Sequence, residues 1–153
     1  MKLDIGAKKP INGDQVFLVG RCFSSAEPPF VLLYDADKQR RIKRNIQKLE
    51  PAKVVGALGS DLFIEIQYPN WGTVWFRASR IRDVRGLSES ELVTTQAKCG
   101  SLVLFEHDRE PEDEHAGFLL FGMDEGQTSR LLNRAVESTH GEKKPSDQTH
   151  GEA

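Results

Sequence analysis

Apolar and polar positions alternate over the middle of this chain, and a period of two predicts half-buried β-strands. Leu62, Ile64, Ile66 and Tyr68 alternate with Phe63, Glu65 and Gln67. Val74, Phe76 and Ala78 alternate in the same way with Thr73, Trp75 and Arg77. The stretch Tyr68-Pro69-Asn70-Trp71-Gly72 between them reads as a hairpin loop. Shorter apolar runs predict further strands at Gln15–Val19, Phe30–Tyr34, Ser101–Phe105 and Gly117–Phe121, with a brief one at Val54–Leu58. Pro28 and Pro29 separate the first two, because proline lacks the donor that a ladder needs.

Helical spacing is confined to a few segments. Ser88 and Glu91 form a Ser-x-x-Glu capping box that opens a short helix over 88–98. Asp124 and Gln127 resemble a second box, ahead of a helix from Glu125 to about Glu137 whose stripe is Leu131, Leu132, Ala135 and Val136. The segment Lys38–Leu49 fits two descriptions. As a helix it aligns Ile42, Ile46 and Leu49 on one stripe, with Asp37 as N-cap and Pro51 past its end. As a hairpin it turns at Asp35-Ala36-Asp37 and becomes an edge strand. The helix or an irregular helical turn is preferred. Together these elements predict an α+β fold, mainly β. The expected form is a small antiparallel barrel, or strongly bent sheet, of about six or seven strands with a C-terminal capping helix.

Length and composition sharpen this picture. At 153 residues, 38% hydrophobic and 29% charged, the chain suits one domain with a real core. Residues 1–12 have little to anchor them and read as a flexible leader. Residues 13–137 form the single domain, and 138–153 read as a disordered tail. Two cysteines, Cys22 and Cys99, are too few for a disulfide scaffold and read as buried thiols. The N-terminus lacks an apolar signal core, and no apolar run approaches the ~20 residues that span a bilayer. A cytoplasmic location without membrane association follows as the expectation.

Charge changes the picture more. The net charge is only -2, yet residues 38–48 hold six cations and no acid, while 106–114 hold six acids and one cation. Such sorting creates local faces for an acidic or phosphorylated partner, although the plain reading of each run is a solvated surface. Arg40 and Arg44, with Arg41 adjacent, are the candidate anion clamp, because guanidinium groups grip phosphate bidentately and stack on bases. Near neutrality overall argues against a dedicated duplex-DNA binder.

The layout Arg40-Arg41-Ile42-Lys43-Arg44, a long run of strands, and Gly117-Phe118-Leu119-Leu120-Phe121-Gly122-Met123-Asp124-Glu125-Gly126-Gln127 before a Leu-Leu helix resembles the PilZ domain over about residues 38–137. The resemblance implies a six-stranded bacterial barrel in which arginines at the positions of Arg40 and Arg44 grip cyclic di-GMP. The family's Asp/Asn-x-Ser-x-x-Gly turn has no counterpart. The nearest stretch, Asp83-Val84-Arg85-Gly86-Leu87-Ser88, offers Asp83 and Arg85 as supporting residues.

Other constellations are weaker. Trp75 and Phe63 would form an outward apolar patch if their sheet face were open, and a covered face is preferred. His107 and His115, with Glu106, Asp108 and Glu114, have carboxylates nearby but no zinc-ligand spacing, so no metal or cofactor is expected. No nucleophile elbow, Walker loop or dinucleotide fingerprint is present. The expectation is a non-enzymatic bacterial regulatory or adaptor domain, taking cyclic di-GMP or a protein partner through the basic run 38–48 or the acidic loop 106–114. Two alternatives stand beside it. One is an RNA or single-stranded nucleic-acid binder that uses the basic run with Trp71 and Trp75. The other is a pleckstrin-homology-like interaction module.

Overall fold

The computed structural model describes residues 2–4, 10–22, 28–46, 49–68, 72–108 and 116–133, without the side chains of Cys22 and Tyr68. Trp71, His115, most of the acidic run, residues 134–137 of the expected last helix and the expected tail 138–153 lie outside the described residues. The chain divides into two compact units, residues 1–82 with 104–117 and residues 83–103 with 118–153. No helix among the described residues is long and apolar enough to cross a membrane.

The first unit is built on five antiparallel strands: β3 (Val16–Cys22), β4 (Phe30–Asp35), β5 (Arg40–Asn45), β6 (Phe63–Tyr68) and β7 (Gly72–Arg77). Their order is β5-β4-β3-β7-β6, so β5 and β6 are the two edges. The fold is mainly β with helices, as expected, but no closed barrel is found among the described residues. The strands form three separate sheets of two, three and five strands.

One bond sets the hydrogen-bonding parity of the five-stranded sheet. The N–H of Ile46 donates to Pro29 O at 2.8 Å, and the two residues sit in register with the pairs from Phe30↔Asn45 to Asp35↔Arg40. Antiparallel pairs alternate between bonded and non-bonded, so Arg44, Ile42 and Arg40 bond to β4. Carried through the registers of β4 with β3, β3 with β7 and β7 with β6, the alternation makes Ile64↔Phe76 and Ile66↔Val74 bonded pairs. The N–H and C=O groups of Phe63, Glu65 and Gln67 therefore point away from β7. Phe63 corroborates this, because its N–H is taken by Ser60 O in the preceding 3-10 turn, Ser60–Leu62.

The basic run is the first correction. It is strand β5, not a helix. Asp35 Oδ1 accepts the N–H groups of Asp37 and Lys38 at 3.0 and 3.3 Å, and Gln39 adopts a left-handed φ of 52°. Such an aspartate turn reverses the chain before a helix can start. The six paired residues of β5 then turn Ile42 onto the core beside Leu33.

Val54–Leu58 is the second correction. Expected as a strand, it lies in α1 (Pro51–Leu58). Proline is favoured in a first helical turn, and Pro51, Val54, Val55 and Leu58 fall at helical spacing and are all buried. Their stripe packs with Val16, Val19, Val31, Leu33, Phe63 and Trp75. Trp75 and Phe63 are thus covered, as preferred. Within residues 1–12, β1 (Lys2–Leu3) pairs with β2 (Ile11–Asn12), and Leu3 and Ile11 join the same core.

Burial continues on the other face of the sheet, where Phe17, Phe76 and Phe105 are fully buried. Gly20 faces Phe30 so closely that an added Cβ would lie 2.6 Å from the ring. Arg77 is buried over the Phe63 ring and donates to the carbonyls of Val16 and Gly13 at 2.6 and 2.8 Å.

In the three-stranded sheet, β9 (Gly100–Phe105) pairs with β10 (Phe118–Phe121), and β8 (Ile81–Gly86) completes the order β10-β9-β8. Both capping boxes are present. Ser88 Oγ accepts from Glu91 N, and Glu91 Oε1 accepts from Ser88 N, opening α2 (Glu89–Thr95). Asp124 and Gln127 bond reciprocally at 2.8 and 3.0 Å and open α3, described over 125–133. Leu102, Val103, Leu120, Met123 and Leu132 are buried here, and Ser101 Oγ lies 2.7 Å from Thr128 Oγ1. Cys99 is a free, half-buried thiol.

Candidate functional site: a basic edge strand backed by a buried arginine–aspartate pair

The three clamp candidates all lie on β5, and strand geometry divides them. Successive side chains point to opposite faces, so Arg40 and Arg44 share one face with Ile42 between them, and Arg41 points to the other. Arg40 and Arg44 are exposed. Four steps of strand separate them by ~13 Å at Cα. Arg44 Nη1 lies 3.5 Å from Lys43 O, a long and weak bond. Lys38 is also exposed, and the exposed Lys43 places its ammonium 4.6 Å from the Phe30 ring centroid.

Arg41 is committed inward. Its Nη1 donates to Gly117 O at 3.0 Å and its Nη2 lies 3.8 Å from Asp108 Oδ1. Its guanidinium sits over the Phe17 ring at 5.1 Å. Asp108 is 1% exposed. Its Oδ2 accepts the N–H groups of Phe105 and Gly117 at 2.8 and 2.9 Å, and its carbonyl accepts from Arg82 Nη1 at 2.7 Å. His107 Nε2 lies 3.5 Å from Asp108 Oδ1, and its ring stacks on Tyr34 with 4.2 Å between centroids. Phe17 and Phe105 flank the same imidazole. Taking a charge out of water is costly unless close partners offset the loss, and here the buried carboxylate has Arg41 and His107 beside one oxygen and two backbone N–H groups on the other.

Asp83 and Arg85 belong to the second unit. Asp83 Oδ1 accepts from Val84 N at 2.8 Å and is exposed. Arg85 makes a two-pronged bond to Glu91, at 2.8 and 2.9 Å. That bond and the Ser88 backbone N–H hold the Glu91 carboxyl down at about 2. Arg85 thus buttresses a helix cap. Burial, reinforced by Arg80, pushes the Arg77 guanidinium below its ordinary value. Among the described residues no group of three or more His, Cys, Asp or Glu side chains is placed to hold a metal ion.

Asp108 and His107 escaped notice as buried groups because they sit in a run of acids that reads as a solvated loop. The usable signal was position: both lie within three residues of the end of the apolar strand 101–105. Trp75, one of two expected stacking platforms, is 9% exposed and donates its indole N–H to Glu65 at 3.1 Å. No family model, curated protein or solved structure matches the chain.

Proposed function

We propose that this chain is a cytoplasmic, non-enzymatic regulatory or adaptor protein that receives an extended acidic segment of a protein partner along β5. The observation that carries the reading is the pairing of exposed Arg40 and Arg44 on one face of an edge strand, in a stretch free of acids. Acidic residues four apart on an extended peptide have the same ~13 Å Cα spacing as these two arginines. Arginine is suited to such contacts, because its planar fork takes a carboxylate bidentately.

A cyclic di-GMP clamp of the PilZ kind draws its arginines onto one small ligand. Arg41, on the opposite face and engaged with Asp108 and Gly117, is a poor contributor to it. A nucleic-acid strand would need stacking platforms, and burial of Trp75 withdraws one of them. The acidic peptide asks only for the two exposed arginines.

The test is a calorimetric titration with three probes: a synthetic ten-residue peptide alternating Glu and Thr, cyclic di-GMP, and single-stranded RNA. Peptide binding that weakens at least tenfold in the Arg40→Glu/Arg44→Glu double variant is the expected result. Saturable cyclic di-GMP binding with no peptide binding would replace the proposal with a second-messenger receptor. Peptide binding indifferent to the double variant would overturn the assignment to β5.

A further inference from the structure

The two edges of the five-stranded sheet are built differently. β5 carries four cations in six residues, a common device for keeping other strands away. β6 reads Phe-Ile-Glu-Ile-Gln-Tyr, with no lysine, arginine or proline, and pairs with β7 over all six residues without a bulge. Phe63, Ile64 and Ile66 are buried, so side chains from both faces of the strand already serve the core. Among the described residues no strand pairs with its outer side. That side presents the C=O groups of Phe63, Glu65 and Gln67 and the N–H groups of Glu65 and Gln67, by the parity derived above. Leu62, at its start, is 37% exposed. Such an edge is a template for strand addition.

We infer that the outer edge of β6 binds the β6 edge of a second copy of this chain, antiparallel and about a two-fold axis at Ile66. This inference is independent of the reading of β5. Three registers bring outward-pointing residues opposite one another near the strand centre. Centring on Glu65 sets like charges face to face, which is unfavourable. Centring on Ile64 sets a carboxylate against a phenyl ring. Centring on Ile66 places Glu65 opposite Gln67 of the second copy, and the symmetry repeats the pair. Each pair exchanges two backbone hydrogen bonds. Glu65 and Gln67 are both exposed on one sheet face, so the amide of one reaches the carboxylate of the other. Glu65 keeps one oxygen on Trp75 Nε1 and has the second available for that contact. The edge is thus complementary to itself in one register and mismatched in the neighbouring two. The product is a single sheet continuous through both copies.

The test combines sedimentation mass over a concentration series with amide hydrogen exchange on the wild-type chain. A shift towards the two-copy mass is expected, together with slowed exchange of the Glu65 and Gln67 amides that tracks it. Gln67→Pro removes one outward donor and places a ring on the edge without touching the β7 ladder, so it should leave the chain folded and hold it at the single-copy mass. Glu65→Lys should act likewise, whereas Arg40→Glu on the other edge should leave the mass shift intact. A single-copy mass up to ~100 μM, or a two-copy mass in which both amides still exchange freely, would overturn the inference.

Discussion

Asp108 is one carboxylate that fastens several pieces of backbone. Two N–H groups converge on Oδ2, Arg41 and His107 approach Oδ1, and Arg82 takes its carbonyl. Removing it leaves two buried donors without their acceptor and takes a close carboxylate from the half-buried Arg41 guanidinium, so Asp108→Ala should destabilise the first unit by ~3 kcal/mol. Arg41→Ala should cost less than its partner, and the double variant less than the sum, because either loss already breaks the pair. Denaturant titration of the four proteins measures that coupling, and strict additivity would mean that the 3.8 Å approach contributes nothing. Gly20 carries a different constraint. An alanine there meets the Phe30 ring, itself buried, so Gly20→Ala should cost ~1–3 kcal/mol by the same titration.

Among the elements, α2 depends on its cap. Glu91 is held ionised by Arg85 and by the Ser88 N–H, which lowers its folded value to about 2 against the ordinary 4.5. A depressed carboxyl stabilises the fold above its unfolded value and loses that contribution as pH falls towards its folded value. Helix α2 should therefore loosen between pH 4.5 and 2, seen as faster exchange of its amides, and Glu91→Gln should remove that acid dependence. Ser88→Ala should cost ~1 kcal/mol at neutral pH. Both capping boxes were legible in the sequence, as were the strands around Ile64 and Phe76, because caps and period-two runs are local physics. Two elements were not. In Pro51–Leu58 the β-branched valines suggested a strand, yet the buried stripe at 51, 54, 55 and 58 and the leading proline were helical signals, and packing on β3 decided between them. In Arg40–Asn45 both periods fit Ile42, and the Asp35 turn with the β4 ladder settled the matter through contacts distant in space. The candidate site shared that fate. Arg40, Arg41 and Arg44 were visible as a group, but which of them faces out depends on strand parity, and the buried partner Asp108 lies 67 positions from Arg41 in a run that looked fully solvated.

At the scale of the molecule, sorted charge and sheet edges predict two associations with different responses to salt. Binding of an acidic peptide to β5 draws on exposed charges, which are screened beyond ~10 Å at 0.1 M salt and beyond ~3 Å at 1 M. Pairing through β6 draws on backbone bonds and a strand with a single charged residue, Glu65. Raising salt from ~0.1 to ~1 M should thus weaken the first by tenfold or more and leave the second within about twofold, in parallel titration and sedimentation runs. A common response would mean that one surface serves both. The double bond of Asp108 Oδ2 to Phe105 and Gly117 has a separate consequence for how this chain can change. It staples together the two ends of the segment 104–117, close to where the backbone enters and leaves the first unit. Doubling the length of an intervening stretch then adds only ~0.6 kcal/mol of closure entropy. The interval between Asp108 and Gly117 is consequently a place to graft foreign sequence, such as an epitope, a reporter or a whole inserted module, and the graft should leave the stability of the first unit within about 1 kcal/mol by denaturant titration.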